Sequence, residues 1–336
     1  MPDSLNFCTK CGSPLRKKSR APIIIISLLL IIVLSAGGVF AGSYFLGKKN
    51  IKETDTETTP ETMTFGSYPQ TLVDEALTAE LIKNAPDPTV WISYDYITME
   101  NNGSSVLYVR SDFMRYTDLE YKGEKYRGVY FTDYRTNSRM EDHLYFDGGY
   151  VTETQYWFKY EPITWQIINQ KGSEVTLLAL DLLDSQPFQE EYFPYNSEHY
   201  TDTDYKSYAN TYSASTIRSW LNNFFLETAF STEEQALLVG SNSYYGDRVW
   251  LLSDNEKLLS RYGIGTDASR VKNLSDYALC QGGCRSSQNG HGFWWLNSAY
   301  DELSSKAMCI YSSGYIFACS VVDSSIGVAP VICVKK

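Results

Sequence analysis

Two cysteines near the N-terminus have the spacing of half a zinc site. Cys8 and Cys11 are separated by two residues, and Gly12 follows the second cysteine. At this spacing two thiolates can point at one tetrahedral ion, and a glycine lets the chain turn with positive φ. Lys10 and Arg16 stand nearby and favour the thiolate form. The spacing therefore predicts that zinc is bound by Cys8 and Cys11.

This zinc site is incomplete within one chain. Residues 7–15 (FCTKCGSPL) resemble one knuckle of a bacterial zinc ribbon, but residues 1–20 hold no His and no further Cys. A closed structural site needs four ligands. A second copy of the chain could supply Cys8 and Cys11 again, which predicts a homodimer through the knuckle. A vestigial knuckle, ligands from another protein and a redox Cys-x-x-Cys pair remain alternatives.

The other five cysteines lie in the last quarter of the chain. Cys309 and Cys319 flank a predicted hairpin and could form a disulfide across it, whereas Cys280 and Cys284 are close in sequence on a glycine-containing loop. Cys333 is then left over. An odd number cannot pair completely within one chain, and the sequence leaves the connectivity open.

Residues suited to catalysis are sparse. The chain has three histidines, of which only His291, between two glycines and near Trp294, is a candidate site residue, and an ordinary loop histidine is the simpler interpretation. No Gly-x-Ser-x-Gly, phosphate-binding loop or His-Glu-x-x-His motif is present. Asp181 and Asp184 could form a carboxylate pair, but a strand-terminating turn explains them better. We therefore identify no catalytic residue.

Two further patterns have simple structural interpretations. Residues 200–205 (YTDTDY) could place oxygens around calcium, but they lack the glycine and the distal Glu of an EF-hand loop, so a solvated loop is favoured. Four tryptophans sit in periodic apolar runs, and we expect them to lie in the core rather than to form a ligand platform. They are Trp165, Trp220, Trp294 and Trp295.

A long apolar segment divides the chain. Residues 21–46 contain no charged side chain, which at about 1.5 Å per residue spans a hydrocarbon core of roughly 30 Å. Five basic residues precede the segment and three follow it, which favours a cytosolic N-terminus. The alternative is a cleaved signal peptide, although signal peptides have shorter apolar regions. We expect a single-pass cell-membrane protein with a cytosolic knuckle (1–20), a transmembrane helix (21–47), a linker (48–62) and an extracytoplasmic domain (63–336).

Charge separates the two sides of this boundary. Residues 1–62 carry eight Lys or Arg and five Asp or Glu, a balance of +3, and the remainder carries −14. An acidic domain is repelled by phosphate backbones, so nucleic acid is excluded as its partner. Under the predicted topology the first two cysteines face a reducing compartment and the last five an oxidising one.

The sequence of the outer domain predicts strands first, then helices, and then strands again. Residues 106–109, 128–131, 163–168 and 175–180 are β-rich, and the last two flank a hairpin loop. Apolar residues recur at helical spacing from Ile217 to Phe225, with Ser213 or Ser215 as the cap. Capping boxes are predicted at 231–234 and 253–256, with Gly263 ending the second helix. Strands are expected again at 247–252, 292–296, 307–311, 315–319 and 328–333. This order predicts an α+β fold, mostly antiparallel with a few short helices.

Seven sequence blocks occur in order along the outer domain: 65–70 (FGSYPQ), 126–130 (YRGVY), 156–165 (YWFKYEPITW), 215–222 (STIRSWLN), 250–253 (WLLS), 294–298 (WWLNS) and 327–331 (GVAPV). These blocks resemble a bacterial family, the domain of unknown function 6273, which often follows a membrane anchor and a zinc ribbon. The resemblance covers residues 63–336. Two departures from its pattern matter, because Asn297 and Ala329 stand where the family has Arg.

The resemblance has consequences for fold and function. The closing blocks distantly resemble C-type-lectin-like and sulfatase-modifying-factor-like domains, which implies such a fold. A Tyr- and Trp-rich acidic domain without a catalytic constellation predicts binding of a glycan, cell-wall or protein ligand, or a structural role. An enzyme on a sulfatase-modifying-like fold is the alternative, and a sensor that couples outer binding to the knuckle is a third. A deep pocket beside His291 would favour the enzyme.

Overall fold

The structure is a computed structural model that describes residues 60–101, 106–132, 145–146, 149–189, 209–241 and 246–336. Pro60–Lys336 form one compact unit. The predicted zinc ligands Cys8 and Cys11, the segment 21–47, the linker as far as residue 59 and the loop 200–205 lie outside the described residues. In the part of the chain that is described, no helix is long and apolar enough to cross a bilayer.

Strands dominate the described residues, and short helices connect them. The helices span Glu75–Asn84, Thr216–Trp220, Leu226–Ala229, Thr232–Leu237, Glu256–Arg261, Asp267–Arg270 and Asp276–Cys280, with a π-helical turn at Leu221–Phe225. The strands are β1 (Thr62–Leu72), β2 (Ile92–Asn101), β3 (Val106–Tyr121), β4 (Glu124–Phe131), β5 (Tyr145–Phe146), β6 (Gln155–Lys171), β7 (Glu174–Ala179), β8 (Asp184–Ser185), β9 (Val249–Trp250), β10 (Arg285–Ser286), β11 (Trp294–Ala299), β12 (Lys306–Ile310), β13 (Ile316–Ser320), β14 (Gly327–Val328) and β15 (Val331–Lys335).

The larger sheet is antiparallel and divides at β6. Its order is β2-β3-β4-β6-β7-β15-β9, with β1 also paired to β6. Lys159 pairs with Tyr126 of β4 and with Thr71 of β1, so β1 and β4 lie on opposite edges of β6. Farther along, the same edge as β4 is occupied by β7, because Gln166 pairs with both Leu178 of β7 and Thr62 of β1. One long strand thus joins two branches of the sheet.

A second sheet of five short strands holds most of the C-terminal segment. Its order is β13-β12-β11-β14-β8, and only the β11–β14 pair is parallel. Together with the larger sheet this confirms the α+β class, mostly antiparallel with a few short helices. Strand β13 lies at one edge of this sheet, which determines what its side chains can contact.

The helix ends follow local capping rules, with one correction. Ser215 caps its helix by accepting from the Arg218 amide, and Ser231 and Glu234 form the predicted capping box. The box predicted at 253–256 is wrong, because the helix begins two residues later, with Asn255 as its cap. Gly263 follows the end of this helix with φ of 74°, as expected for a C-terminal glycine.

Two strands are shorter in the structure than the sequence predicts. Only Val249–Trp250 of the predicted strand 247–252 is a strand. The expected strand at 328–333 is split into β14 and β15 around Ala329 and Pro330, because proline has no amide hydrogen to donate to a ladder. The hairpin joining β6 and β7 is confirmed with a shorter turn, in which Gly172 has φ of 62°.

Tryptophans fill the core, as predicted. Trp165, Trp294 and Trp295 are at most 1% exposed, and Trp220 is half-buried. A satellite core under the first helix contains Trp91 and Trp157, and a Cβ at Gly128 would come within 2.8 Å of both indole rings. The glycine of the 126–130 block is therefore required by close packing.

Candidate functional site

A buried hydrogen bond links the first strand to the second half of the domain. Tyr68 of β1 donates from its hydroxyl to the Asp184 carboxylate at 2.6 Å. The same carboxylate accepts from the Ser185 amide at 2.7 Å and from Gln186 Nε2 at 3.1 Å. Burial raises the pKa of Asp184 to about 6, against the opposing effect of these three donors. Interpreting Asp184 as a turn residue was wrong, because it lies fully buried in β8.

A second buried charge lies close to this network. Arg127, 2% exposed, makes a two-point contact with Asp118 through Nε at 2.8 Å and Nη2 at 2.9 Å. Tyr160 donates to the same carboxylate at 2.9 Å, and the guanidinium lies 4.6 Å from the centre of the Tyr116 ring. Although burial opposes ionisation, the Arg127 contacts lower the pKa of Asp118. The arginine of the 126–130 block therefore stabilises the interior.

The side chains of Arg127 and Tyr277 interact in this interior. Arg127 Nη1 and the hydroxyl of Tyr277 are both buried. Burial raises the pKa of Tyr277 well above its usual range, and Arg127 opposes this by lowering the pKa of the hydroxyl through its charge and a hydrogen bond. Tyr277 packs edge-on against Tyr68, with ring centres 5.7 Å apart. Since the side chains are enclosed by the core, the arrangement positions β1 against the rest of the domain and offers no surface to a ligand.

A polar pocket of about 330 Å³ lies beside the helix that begins at Thr216. Arg218 binds both carboxylate oxygens of Asp247 at 2.7 Å and donates to the Ser213 carbonyl. Asn222 donates to the Val249 carbonyl at 2.8 Å and accepts from its amide. The polar groups of the 215–222 block are thus engaged in holding the helix against β9.

The candidate histidine does not lie in a catalytic arrangement. His291 Nδ1 is 3.0 Å from the Asn273 side-chain oxygen, on a loop at the surface. Lys272 is buried nearby, where its amine donates to the Ala179 carbonyl at 2.6 Å. Burial lowers the pKa of Lys272 to about 8 and raises that of Asp181. No group of three or more metal-ligating side chains occurs among the described residues.

Three aromatic rings lie together on the hairpin of β12 and β13. Tyr315 is 55% exposed and Phe317 is 39% exposed, with ring centres 6.3 Å apart and planes 32° apart. The Tyr311 ring lies 5.3 Å from Phe317 and packs on its other side against Phe293 at 5.1 Å. We call Tyr311, Tyr315 and Phe317 the aromatic platform. It is an exposed apolar surface, whereas most other large rings whose side chains the structure describes are buried.

Hydrogen bonds and a disulfide fix the backbone of the hairpin that carries the aromatic platform. Tyr311 donates its amide to the Tyr315 carbonyl at 2.8 Å, closing the hairpin. At the tip, Asn289 donates to the Ser312 carbonyl at 2.9 Å and Arg270 donates to the Gly314 carbonyl at 2.7 Å. The predicted disulfide between Cys309 and Cys319 is confirmed and crosses the same pair of strands. The rings are therefore presented on an ordered support.

The structure also describes the three C-terminal cysteines outside the disulfide and the two positions that depart from the resembled pattern. Cys333 carries a free thiol, and Cys280 and Cys284 are buried. Asn297, one of the two departures from the resembled pattern, donates to the Leu251 carbonyl at 2.6 Å, and Ala329, the other, is fully buried. Asn297 is therefore held by a backbone hydrogen bond, and Ala329 is packed in the core.

The aromatic platform was not identified from the sequence. The signal was an alternation of exposed rings, Tyr315 and Phe317, on either side of Ile316 in a strand next to Cys319. Alternation alone places the two rings on one face of a strand. It does not show which face of β13 is covered by the rest of the domain, and that determines whether the two rings are exposed.

Comparison with known families is informative for the C-terminal half of the chain. Residues 173–336 match the family model of a Domain of unknown function (DUF6273). The match contains the 215–222, 250–253, 294–298 and 327–331 blocks, Asp184 and the aromatic platform. No curated protein and no solved structure is significantly similar to the chain.

Proposed function

We propose that this chain, which carries a DUF6273 domain at residues 173–336, is a membrane-anchored binding protein whose outer domain contacts its ligand through the aromatic platform. The observation that carries the proposal is the exposure of Tyr315 and Phe317 on a hairpin held by hydrogen bonds and a disulfide. Rings held in advance lose little conformational freedom when they bind. The ligand is a glycan, cell-wall or protein surface outside the cell.

Membrane anchorage is supported by residues 21–46, which contain no charged side chain, and by the basic excess before them. The extracytoplasmic location of the domain is supported by the Cys309–Cys319 disulfide, since such bonds persist in oxidising compartments. The N-terminus is then cytosolic.

The cytosolic tail forms the second part of the proposal. Cys8 and Cys11 supply two of the four ligands of a zinc site, and a second chain supplies the others. Zinc analysis of the purified full-length chain should find one ion for two chains, lost in Cys11→Ser. A monomeric, zinc-free chain would show instead that the knuckle is vestigial.

A C-type-lectin-like or sulfatase-modifying-factor-like fold is also proposed for the outer domain, on the resemblance of its closing blocks. Supporting it is the small sheet that carries the disulfide near the C-terminus. An experimental structure that superimposes on neither fold would contradict this part.

Hydroxyl-radical footprinting tests the binding surface without requiring a known ligand. Oxidation of Tyr315 and Phe317 is compared between intact cells and the purified full-length chain, with half-exposed Leu303 as the reference. We expect several-fold protection of both rings in cells and unchanged oxidation of Leu303. Equal oxidation of the rings in both samples would contradict the proposal.

A further inference from the structure

The aromatic platform has the chemistry of a site for a saccharide chain. Pyranose rings have C–H faces that are apolar and pack flat on aromatic rings, while their hydroxyls require hydrogen-bonding partners at the rim. Tyr315 and Phe317 supply two neighbouring ring faces 6.3 Å apart, tilted by 32°. Such a surface suits two consecutive sugar units rather than a single small ligand.

The rim of the platform carries no net charge, because Arg270 at the hairpin tip is paired with Asp267, and it retains hydrogen-bonding capacity. Asn289 reaches the hairpin tip through its bond to Ser312, and its side-chain oxygen accepts from the His291 amide at 3.1 Å. One amide hydrogen and one lone pair of Asn289 remain for a ligand. Nδ1 of His291 lies 3.0 Å from the Asn273 side-chain oxygen, so its Nε2 remains available to bond a ligand hydroxyl.

The exposed aromatic area distinguishes a saccharide from a protein partner. A Tyr or Phe side chain presents roughly 200 Å² when fully exposed, so two rings at 55% and 39% offer about 200 Å² together. A stable protein interface needs about 800 Å² from each partner. The aromatic platform alone falls well short of that area, whereas it suffices to cover one face of a short saccharide.

Charge further restricts the class of saccharide. Residues 63–336 carry a balance of −14, so an anionic polymer is repelled. Asn289 and His291 bring no carboxylate or ammonium group to the platform, and the charges of Arg270 and Asp267 at the hairpin tip offset each other. The net charge of the domain and the residues at the platform therefore both favour a neutral saccharide chain.

We infer that the aromatic platform binds a neutral saccharide chain, stacked on Tyr315 and Phe317 and hydrogen-bonded by Asn289 and His291. The inference rests on the proposed function and adds the class of ligand to it. Stacking contributes most of the affinity, and the rim residues determine which hydroxyl or acetamido arrangement is accepted.

The test is calorimetric titration of the full-length chain with neutral tetrasaccharides of β-linked glucose and of β-linked N-acetylglucosamine. We expect binding of at least one, weakened tenfold or more by Phe317→Ala or Tyr315→Ala and several-fold by Asn289→Ala or His291→Ala. Val90→Ala removes a 71% exposed apolar side chain elsewhere and should leave affinity unchanged. The conservative variant His291→Gln should retain more affinity than His291→Ala.

The outcomes separate this inference from the proposed function. If neither tetrasaccharide binds, or if the four variants bind as wild type, the saccharide inference is overturned. In that case protection of Tyr315 and Phe317 in cells would still support a binding surface for a different ligand. Binding of an anionic carboxymethylated glucan in preference to the neutral chains would also overturn the inference. Each variant should unfold at the same temperature as wild type. A loss of binding then reflects affinity and not a loss of folded protein.

Discussion

Tyr68 on β1 donates a 2.6 Å hydrogen bond to Asp184 on β8, joining residues that are 116 positions apart in the chain. The bond lies in the interior, where both side chains are fully buried. The first strand of the domain directly follows the predicted linker. The hydrogen bond attaches this strand to the segment that the family model matches. The two halves of the outer domain are thereby held together by a buried polar contact as well as by packing.

Asp184 should make stability depend on pH. Its pKa is raised to about 6 by burial, so the folded state binds a proton more tightly than the unfolded chain. Its stabilising contribution is complete below the unfolded pKa of about 4 and is lost as pH rises through about 6. The predicted loss is about 1–3 kcal/mol.

The measurement compares wild type with Asp184→Asn in urea unfolding between pH 4 and pH 7. Other groups titrate equally in both proteins, so the difference isolates Asp184. We expect the stability of the variant relative to wild type to rise with pH. A difference that stays constant over this interval would contradict the assignment.

The ion pair of Arg127 and Asp118 should respond unequally to removal of its two partners. Asp118→Ala leaves a guanidinium whose side chain is only 3% exposed, and an unpaired buried charge costs about 3–5 kcal/mol. Arg127→Met leaves a carboxylate that is 30% exposed and has Lys125 at 3.6 Å. We expect urea unfolding to show the larger loss for Asp118→Ala, and the opposite order would contradict the proposed role of burial.

Gly314 should be required for the position of the platform hairpin. Its φ is 83°, and a Cβ there would overlap the Asp267 carbonyl oxygen. Gly314→Ala should therefore destabilise the domain by more than 1 kcal/mol and increase oxidation of Tyr311 in footprinting. Gly172→Ala is the matched control, because Gly172 also has positive φ, 62°, but no atom lies within 4 Å of its added Cβ. Equal losses from the two variants would show that the Asp267 contact is unimportant.

Thiol labelling of intact cells tests the proposed topology. Cys8 should react with a membrane-impermeant maleimide only after the membrane is permeabilised, because the basic residues before the apolar segment favour a cytosolic N-terminus. Because Cys333 also carries a free thiol, labelling of Cys8 is read by mass spectrometry of the peptide that contains it, in a Cys11→Ser background. Labelling of Cys8 in intact cells would reverse the orientation.

Features set by neighbouring residues could be predicted from the sequence. Ser215 and Ser231 cap their helices because a cap needs only the next three residues. The turn at 312–314 and the Cys309–Cys319 disulfide follow from strand alternation and the position of a glycine. The tryptophans were expected in the core because large apolar side chains in periodic runs are buried.

Features set by distant residues could not be predicted. The burial of Asp184 depends on Tyr68, which approaches it only after β1 pairs with β6. Asn255 replaced Ser253 as a cap because Asp254 is held by Ser298, a contact 44 residues away. The exposure of Phe317 depends on which face of the five-stranded sheet other elements cover, and single-sequence patterns do not indicate this.

Sedimentation with insoluble neutral polymers of β-linked glucose and of β-linked N-acetylglucosamine tests the central claim, that the aromatic platform is the surface through which the protein binds. The full-length wild-type chain and its Val90→Ala variant are compared with the double variant Tyr315→Ala/Phe317→Ala, each checked for unchanged thermal unfolding. The account predicts that wild type and Val90→Ala sediment with at least one polymer and that the double variant remains in the supernatant. Sedimentation of the double variant to the same extent as wild type would contradict it.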